Sequence, residues 1–354
     1  MRVGLDATPL LGARTGIGRY TGSLLSALAG GPDEVVATAF TLRGRLDPQP
    51  GVQVRSRPAP ARALQAAWAR TEWPPVELLT GRLDVFHGTN FVLPPLRRAR
   101  GVVTVHDLAF LHLTGTVSAA SARYRELVPR SIARARVVLT PSEAVAQQIR
   151  EAYATPLARS GAPVVAVPHG VAAPWSLARP PSPSLRADLG LPVEYVLFVG
   201  TLEPRKDLAT LLAAHRLVPG APPLVLVGPP GWGPQVDTTG CVTPGYLDDD
   251  DLRPVVAGAR ALVLPSRDEG FGLPLLEALA AGTPVVASDL PVLREVGGEH
   301  VTYAAVGDAE AFAAALQSVL DRPGEPGPRR AHAAEFTWQR SADRHRAAYA
   351  LALA

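Results

Sequence analysis

The stretch ALVLPSRDEGFGLPLLEALAAGTPVVAS, residues 261–288, has the order strand, loop, helix, strand. The apolar run ALVLPS precedes a loop with two glycines, and Pro274 stands where a helix can begin, since an N–H there would lack a partner anyway. Gly282 stands where a helix ends in the left-handed conformation, just before the run PVVAS. A helix between two β-branched runs is typical of a parallel sheet covered by helices.

The same alternation extends along the whole chain and predicts an α/β protein. The expected strands are RVGLDAT, EVVATAF, DVFHGT, GVVTVHD, RVVLTPS and PVVAVPHG in the first half, and YVLFVG, PLVLVG, ALVLPS and PVVAS in the second. The Pro-rich segment 173–190 can continue neither a helix nor a central strand, which predicts a linker. We expect a first domain over 1–172, a second over 191–330 and a closing helix over 331–354, with ligands at the carboxyl ends of strands.

The composition is that of a globular protein of about two domains, with 354 residues, 47% hydrophobic and 19% charged. A single cysteine, Cys241, excludes an intrachain disulfide and a cysteine-based zinc cluster. The opening MRVGLDATPL lacks the long apolar region of a signal peptide, and no run reaches the about 18 apolar residues of a membrane span. We therefore expect a cytoplasmic protein.

The net charge of +3 hides an uneven distribution. Residues 1–172 carry 20 arginines against 11 acidic residues, a net +9, whereas residues 173–354 carry 15 basic against 21 acidic residues, a net −6. A basic half favours an anionic partner, but the arginines form no tract and no RNA-binding aromatic signature accompanies them, so we expect no nucleic acid. Four arginines share one predicted helix, which is either a solvated face or a contact with anionic membrane lipid. They are Arg123, Arg125, Arg130 and Arg134.

The stretch GTLEPRKDL, residues 200–208, contains the only lysine of the chain, Lys206, directly after Arg205. At the end of a predicted strand, this lysine is either a chance residue of a solvated loop or a residue kept for a specific contact. In the second case its replacement should lower turnover and leave the melting temperature nearly unchanged.

Two acidic residues flank the start of the helix predicted after ALVLPS, Glu269 in the loop and Glu277 in the first turns. Between them, the amides of Phe271, Gly272 and Leu273 lie where a helix N-terminus favours acceptors and anions. Each carboxylate can accept from two O–H groups, so the pair suits vicinal hydroxyls. Glu277 alone would be a partner of the helix dipole, but together these features indicate a binding site.

The loop TGIGRY, residues 15–20, opens a predicted helix after the first strand. Gly16 and Gly18 would let backbone amides approach a phosphate closely, although many such turns contain glycine for geometry alone. The dinucleotide fingerprint G-x-G-x-x-G is incomplete, because Thr21 stands where the third glycine is needed.

Histidines end two predicted strands, His106 with Asp107 in GVVTVHDL and His87 with Asn90 in HGTN. A histidine at a strand end is more often structural than catalytic, and two such ends at one crevice leave both roles open. The run LDDDDL, residues 247–252, looks like a divalent-metal site but opens a predicted helix, where acidic residues are expected as caps and dipole partners. We predict no metal site.

Together these motifs resemble those of the retaining family-four glycosyltransferases, and within that family bacterial mannosyltransferases of polysaccharide biosynthesis. The resemblance runs in the family's order from Val3 to the final helix, and it also includes the VPHG turn and GTPVVASDLPVLREVGG. It implies the GT-B fold, with two Rossmann-like domains facing a cleft and a C-terminal helix packing back toward the first domain. The second domain would hold a nucleotide-sugar donor, and the first would hold a glycan or lipid-linked glycan acceptor.

The resemblance also implies roles for single residues. Arg205 and Lys206 match the pair that neutralises the donor diphosphate, where a compact ammonium reaches phosphate oxygens differently from a guanidinium. Glu277 matches the acid that binds the ribose diol, and Glu269 the acid beside the transferred sugar. His106 matches a residue near the 6-position of that sugar, with Asp107 next to it.

Backbone and pocket residues carry over in the same way. The amides of Phe271, Gly272 and Leu273 would meet sugar hydroxyls, and those of Gly16, Ile17 and Gly18 would approach the diphosphate. The pocket for the base would include Pro265-Ser266 and residues 241–245. No cofactor and no metal are implied, because arginine, lysine and amides would stabilise the diphosphate.

The implied reaction is metal-independent transfer of a hexosyl group, first of all mannose from GDP-mannose, with UDP-glucose, UDP-galactose or UDP-N-acetylglucosamine as alternative donors. Retention would proceed through a covalent intermediate or by same-face attack assisted by the departing diphosphate. The sequence shows no evident nucleophile, and this favours the second route. A nucleophilic role of Asp107 would contradict that route.

Other classes fit the sequence less well. An NAD-dependent oxidoreductase or epimerase would need the complete fingerprint, and a pyridoxal-phosphate phosphorylase would need a lysine outside the PRK motif. An inactive partner subunit would tolerate loss of Glu269, Glu277 or Lys206, and all three are present.

Overall fold

The structure is a computed structural model that describes residues 1–12, 16–42, 44–112, 123–233 and 236–354. The chain divides into two compact units, each with its own parallel sheet. Unit 1 comprises Met1–Gly170 and Thr337–Ala354, and unit 2 comprises Val171–Phe336. The prediction of an α/β protein with two Rossmann-like sheets is confirmed.

The sheet of unit 1 has seven strands among the described residues. They are β1 (Arg2–Asp6), β2 (Glu34–Thr38), β3 (Val52–Val54), β4 (Val85–Gly88), β5 (Arg100–Thr104), β6 (Val137–Thr140) and β7 (Val164–Ala166). Their order is β3-β2-β1-β4-β5-β6-β7, and all neighbours pair in parallel. The central strands are almost wholly apolar because helices cover both faces of the sheet.

Eight helices accompany this sheet in the described part of unit 1. They are α1 (Gly16–Ala29), α2 (Ala61–Trp68), α3 (Glu77–Thr80), α4 (Ala109–His112), α5 (Tyr124–Arg134), α6 (Glu143–Ala152), α7 (Ala154–Ser160) and, from the end of the chain, the helix Trp338–Leu353. That last helix packs on α1 and on β4, β5 and β6. Its apolar side joins the core of unit 1 through Ala342, Ala348 and Tyr349, so the prediction that the C-terminal helix returns to the first domain is confirmed.

The sheet of unit 2 has six strands in the described residues, in the order β10-β9-β8-β11-β12-β13. They are β8 (Val196–Val199), β9 (Leu224–Val227), β10 (Val242–Gly245), β11 (Ala261–Leu264), β12 (Val285–Ser288) and β13 (Thr302–Ala304). The helices of this unit are α8 (Pro183–Asp188), α9 (Leu208–Leu217), α10 (Asp249–Ala257), α11 (Leu273–Ala281), α12 (Pro291–Gly297), α13 (Ala309–Asp321) and α14 (Pro326–Ala333). The closing helix Trp338–Leu353 of unit 1 is therefore α15.

The helix α11 has the ends that the sequence predicts. Pro274 lies in its first turn, and Gly282 ends it in the left-handed conformation with φ +84°. Gly272 precedes it with φ +91°, where a side chain would be strained and would approach Leu293 Cδ2 to 2.7 Å. Glycine is required at this position by both conformation and space.

The bounds of the units differ from the predicted ones. Unit 1 ends at Gly170 and resumes at Thr337, where the sequence predicts 172 and 331. The expected linker, residues 173–190, lies inside unit 2, because a short helical turn over Ala173–Trp175 and α8 order it. Trp175 is buried, which fixes the Pro-rich segment on unit 2.

Candidate active site

The strand order of each sheet reverses at one place, and ligands of parallel α/β sheets bind beside such a reversal at the carboxyl ends of the strands. In unit 2 the reversal lies between β8 and β11, since β9 and β10 lie on one side of β8 and β12 and β13 lie beyond β11. The loops after these two strands carry GTLEPRKDL and RDEGFG, the two motifs singled out in the second half of the sequence.

Lys206 is part of a buried ion pair that joins these two loops. Its Nζ donates to Glu269 Oε1 at 2.6 Å, and Ser266 Oγ donates to the same oxygen at 2.8 Å. The side chains of Lys206 and Glu269 are 9% and 7% exposed. The reading of Lys206 as a residue of a solvated loop is therefore wrong.

Arg205 lies between two acidic residues. Its Nη2 is 2.7 Å from Glu203 Oε1, and its Nη1 is 3.4 Å from Glu269 Oε2. Nη1 also donates to the backbone oxygen of Asp268 at 3.0 Å. These contacts orient the guanidinium beside the ammonium of Lys206, so that two positive charges meet at the strand reversal.

Glu269 is ionised at neutral pH. Burial by itself would raise the pKa of its carboxyl, but the charges of Lys206 and Arg205, with hydrogen bonds from Lys206 and Ser266, outweigh burial and lower that pKa. Oε1 already accepts two short hydrogen bonds, whereas Oε2 has the longer contact with Arg205. A carboxylate offers about four lone-pair sites, so Oε2 has capacity for a hydroxyl of a ligand.

The remaining candidates of the second half lie around the same loops. Phe271, Gly272 and Leu273 form the entry to α11, whose first turn has no side-chain cap. Glu277 is buried in the second turn of α11, and Pro265 is buried directly after β11. The structure thus brings the candidates of unit 2 together at one end of one sheet.

In unit 1 the strand order reverses between β1 and β4. Gly16, Ile17 and Gly18 form the first turn of α1, while Thr15 lies outside the described residues. A side chain built at Gly16 would meet nothing within 4 Å, so its backbone is open to close approach. One turn later, Tyr20 places its ring edge-on to His106 with centroids 5.0 Å apart, which links this turn to the end of β5.

His106 is buried and neutral. Its Nε2 lies 2.8 Å from the backbone oxygen of Thr89, and because a carbonyl only accepts, Nε2 carries the proton. Burial lowers the pKa of His106, although the bond to Thr89 and the charge of Asp107 act in the opposite direction. Nδ1 is therefore an acceptor. Asp107 Oδ1 accepts from the amide of Ala109 at 3.1 Å, at the start of α4.

His87 has a structural role, which the sequence left open. Its Nδ1 bonds to Tyr349 OH at 2.9 Å and its Nε2 to Thr104 Oγ1 at 2.7 Å, so both ring nitrogens are occupied. Tyr20 OH bonds to the same Thr104 at 3.1 Å and to His345 Nε2 at 3.1 Å. Burial lowers the pKa of His345 to about 4 and that of His87 well below its usual range. This neutral network fastens α15 to β4, β5 and α1.

The acidic run 247–252 caps a helix, as predicted. Asp248 precedes α10, and its Oδ1 accepts from the amides of Asp250 and Asp251 at 3.0 and 3.1 Å. Throughout the described residues no group of three His, Cys, Asp or Glu side chains is arranged to hold a metal.

The arginines of α5 are only partly available for an anionic surface. Arg134 donates to Glu72 through Nε at 2.8 Å and through Nη2 at 2.7 Å, and to backbone oxygens nearby. Arg125 Nε donates to the backbone oxygen of Phe110 at 2.8 Å. Arg123, Arg125 and Arg130 are exposed, although Arg125 also makes this backbone contact. Two of the four arginines are thus tied into the unit rather than free on a solvated face.

Two sequence profiles match the chain, one in each unit. A profile described as "Glycosyl transferase 4-like domain" matches residues 15–159, and one described as "Glycosyl transferases group 1" matches residues 193–322. The chain is 33% identical over 276 residues to the O-antigen chain mannosyltransferase B of Escherichia coli, an alignment that covers 72% of this chain and 71% of the relative. The chain belongs to the family-four glycosyltransferases.

One further relative and two solved structures are also similar to this chain. The glycogen synthase of Mycobacterium tuberculosis is 32% identical over 287 residues, 73% of this chain and 66% of the relative. The sucrose-phosphate synthase from Thermosynechococcus elongatus superimposes with a TM-score of 0.75 at 21% identity, covering 99% of this chain and 98% of the other. Anabaena HepE, solved with UDP and glucose, gives 0.71 at 16% identity, covering 98% of each chain. At these identities the structures show the fold, which is GT-B.

As a family-four glycosyltransferase the chain is a hexosyltransferase, and the oxidoreductase and phosphorylase alternatives do not apply. No helix in the described part of this glycosyltransferase combines the length and the apolarity needed to cross a membrane.

Two acidic residues at the strand reversals were not among the candidate site residues predicted from the sequence. Glu203 lies within GTLEPRKDL and holds Arg205 through Nε at 3.0 Å as well as through Nη2. Asp6 ends β1 at the strand reversal of unit 1, and burial raises its pKa to about 6, although Thr8 donates a hydrogen bond to Oδ1. Two features of the sequence could have identified them. Glu203 stands three residues before Lys206, and Asp6 ends the first predicted strand.

Proposed function

We propose that this glycosyltransferase transfers a mannosyl group from GDP-mannose to a glycan or lipid-linked glycan, with retention of configuration and without a metal, in the assembly of a bacterial surface polysaccharide. The observation that carries the proposal is the buried Lys206–Glu269 pair beside Arg205, at the strand reversal of unit 2. The choice of mannose rests on relatives named as mannosyltransferases, the O-antigen enzyme and the serotype-specific WbdA of Escherichia coli, the latter over 42% of this chain.

Arg205 and Lys206 take the donor diphosphate in this proposal. Charge-assisted hydrogen bonds contribute about 1.5–3 kcal/mol each, and two cations that are oriented before binding stabilise the charge that develops on the departing diphosphate. Glu203 and Glu269 hold them in place without a donor, which limits the reorganisation needed on binding.

The transferred sugar and the ribose are assigned to the entry and second turn of α11. Oε2 of Glu269 accepts from a sugar hydroxyl, with the amides of Phe271, Gly272 and Leu273 as donors. Glu277 accepts from the ribose diol, and Pro265 lines the pocket of the base. The support is that these residues surround one strand end and that Glu269 is ionised.

In unit 1 the proposal assigns ligand contacts to His106 and to the first turn of α1. Because Nε2 of His106 donates to Thr89, its Nδ1 accepts from the hydroxyl at the 6-position of the sugar. Gly16, Ile17 and Gly18 offer amides to the diphosphate, supported by the open space at Gly16.

We assign same-face attack assisted by the leaving diphosphate, in which the C–O bond to the diphosphate breaks as the acceptor oxygen bonds and a phosphate oxygen takes the acceptor proton. Asp107 accepts from the amide of Ala109, which supports a capping role rather than that of a nucleophile. Mass spectrometry after rapid quenching checks this assignment, since a glycosyl adduct on Asp107 would replace it by a covalent route.

A donor panel tests the proposal. Thermal shift and nucleotide release are measured with GDP-mannose, GDP-fucose, UDP-glucose, UDP-galactose, UDP-N-acetylglucosamine and NAD, each with and without EDTA. Stabilisation and GDP release with GDP-mannose in EDTA are expected. A response to a UDP-sugar alone would keep the class and change the donor, and a response to NAD alone would overturn the proposal.

A further inference from the structure

An ion pair that does not involve Glu269 joins the same two loops as Lys206 and Glu269. Arg267 Nε donates to Asp207 Oδ2 at 2.9 Å, and the side chain of Asp207 is 5% exposed. Asp207 directly follows Lys206, and Arg267 lies two residues before Glu269. The family membership and the proposed reaction leave both residues unused.

Asp207 is not an ordinary helix cap. It precedes α9 with φ 48° and ψ 48°, a left-handed conformation that costs a side chain energy, and its carboxylate accepts from none of the helix amides. Oδ2 instead accepts from Thr210 Oγ1 at 2.8 Å and from Arg267. Strained positions persist where the surrounding structure requires them, and here the requirement is the cross-link between the loops.

Besides the contacts of Arg205 with Asp268 and Glu269, three contacts join the two loops, and the binding of a donor would affect each of them differently. The amide of Arg267 donates to the backbone oxygen of Arg205 at 2.8 Å. The Lys206–Glu269 pair lies in the proposed diphosphate site, so phosphate oxygens compete with Glu269 for the ammonium. The Asp207–Arg267 pair uses neither of the cations that take the phosphate, so it persists when the other pair is weakened.

We propose that Asp207 and Arg267 are positioning residues that keep the loops after β8 and β11 in register when the donor diphosphate draws on the hydrogen-bond donors of Lys206 and Arg205. This inference rests on the proposed function. Arg267 is half exposed, but the carboxylate of Asp207 is 5% exposed, so removing the arginine alone leaves a buried charge and lowers stability as well as affecting binding. Loss of the pair would also displace the loops that bind the diphosphate, and a displacement of about 1 Å at such a site is costly.

The chain provides a matched control. Glu194 and Arg260 form an exposed ion pair between the residues that precede β8 and β11, so it links the same two strands at their opposite ends. Variants D207N, R267Q, the double variant and E194Q are compared by calorimetry for binding of GDP, GMP and UDP, together with their melting temperatures. D207N keeps the size of the side chain and the acceptor for Thr210, and R267Q alters a half-exposed residue, so at least one variant of the pair folds.

We expect D207N and R267Q each to weaken GDP binding at least about fivefold and to change GMP binding by no more than about twofold. The double variant should bind GDP no more weakly than either single variant, because the effects of coupled residues are not additive. E194Q should bind GDP as the wild type does. E194Q, D207N and the double variant should melt close to the wild type, whereas R267Q, which leaves the buried carboxylate of Asp207 without its arginine, should melt lower.

Equal losses for GDP and GMP, additive losses in the double variant, or the same loss in E194Q would overturn the positioning role. GDP binding by D207N and R267Q within about twofold of the wild type would also overturn it. If the wild type binds UDP and not GDP, the same comparison is made with UDP. If it binds neither, the proposed function fails, and the positioning role fails with it.

Discussion

Replacing Lys206 by methionine should lower the stability of unit 2 as well as turnover. The substitution keeps the volume of the side chain and removes its charge, leaving the carboxylate of Glu269 buried. Breaking a buried ion pair costs about 3–5 kcal/mol. Because Ser266 still donates at 2.8 Å and Arg205 lies at 3.4 Å, we expect a loss of about 2–3 kcal/mol.

In a unit of the size of Val171–Phe336, each kcal/mol shifts the melting temperature by about 2–4 °C, so Lys206→Met should melt about 4–12 °C below the wild type at pH 7. Adding Glu269→Gln removes the unpaired charge and should recover most of the loss. Scanning calorimetry of both variants measures this double-mutant cycle.

The pH dependence gives a second test of the same pair. In the wild type the pKa of Glu269 is lowered, so its stabilising contribution is present above its usual pKa and is lost as the pH falls through the folded value. In Lys206→Met fewer positive charges oppose the effect of burial, so the pKa of Glu269 is higher than in the wild type. Glu269 is then protonated more readily in acid, and the difference in melting temperature between the variant and the wild type should become smaller there. An unchanged melting temperature at pH 7, or a deficit that Glu269→Gln does not reduce, would refute the reasoning.

The remaining predictions concern both units. Asp6→Asn should raise the melting temperature above pH 6, because a rise of the pKa from 3.8 to about 6 makes the charged form cost about 3 kcal/mol, and this benefit should vanish below pH 4 in calorimetry. Tyr349→Phe should cost about 1–3 kcal/mol in urea unfolding, since it leaves Nδ1 of buried His87 without its partner; a loss below about 0.5 kcal/mol would contradict the role of the network. Gly272→Ala should lower the melting temperature and donor turnover together, because a φ of +91° is strained for alanine and its methyl group would displace the end of the Leu293 side chain, which lies 2.7 Å away. An unaffected variant would show that the entry to α11 adapts.

The local pattern predicted the central strands, the edge strand β7 and the ends of α11, but not the edge strands β3, β10 and β13. These three have three or four residues each, and almost all of those residues are exposed or only partly buried, so they lack the apolar run that marks a buried strand. Such strands form because they hydrogen-bond to a neighbouring strand, and a short segment of sequence does not show which neighbour it will have.

The sequence predicted which residues belong to the candidate site, but not the contacts that they make. Residues at strand ends and a helix start identified Glu269, Glu277 and Lys206, because parallel sheets gather these positions at one edge. That Lys206 is buried against Glu269 depends on how two loops separated by about 60 residues meet. The sequence led us to expect an unchanged melting temperature when Lys206 is replaced, and the burial of the pair leads us to expect a lower one. The structural role of His87 likewise depends on Tyr349, at the far end of the chain.

The most direct test of the proposed reaction is the anomeric configuration of the mannose that the protein releases from GDP-mannose in EDTA, read by nuclear magnetic resonance before the sugar equilibrates. The proposed reaction requires release without metal, with the configuration of the donor retained, and loss of release in Lys206→Met. An inverted product, or release that requires an added divalent cation, would contradict it.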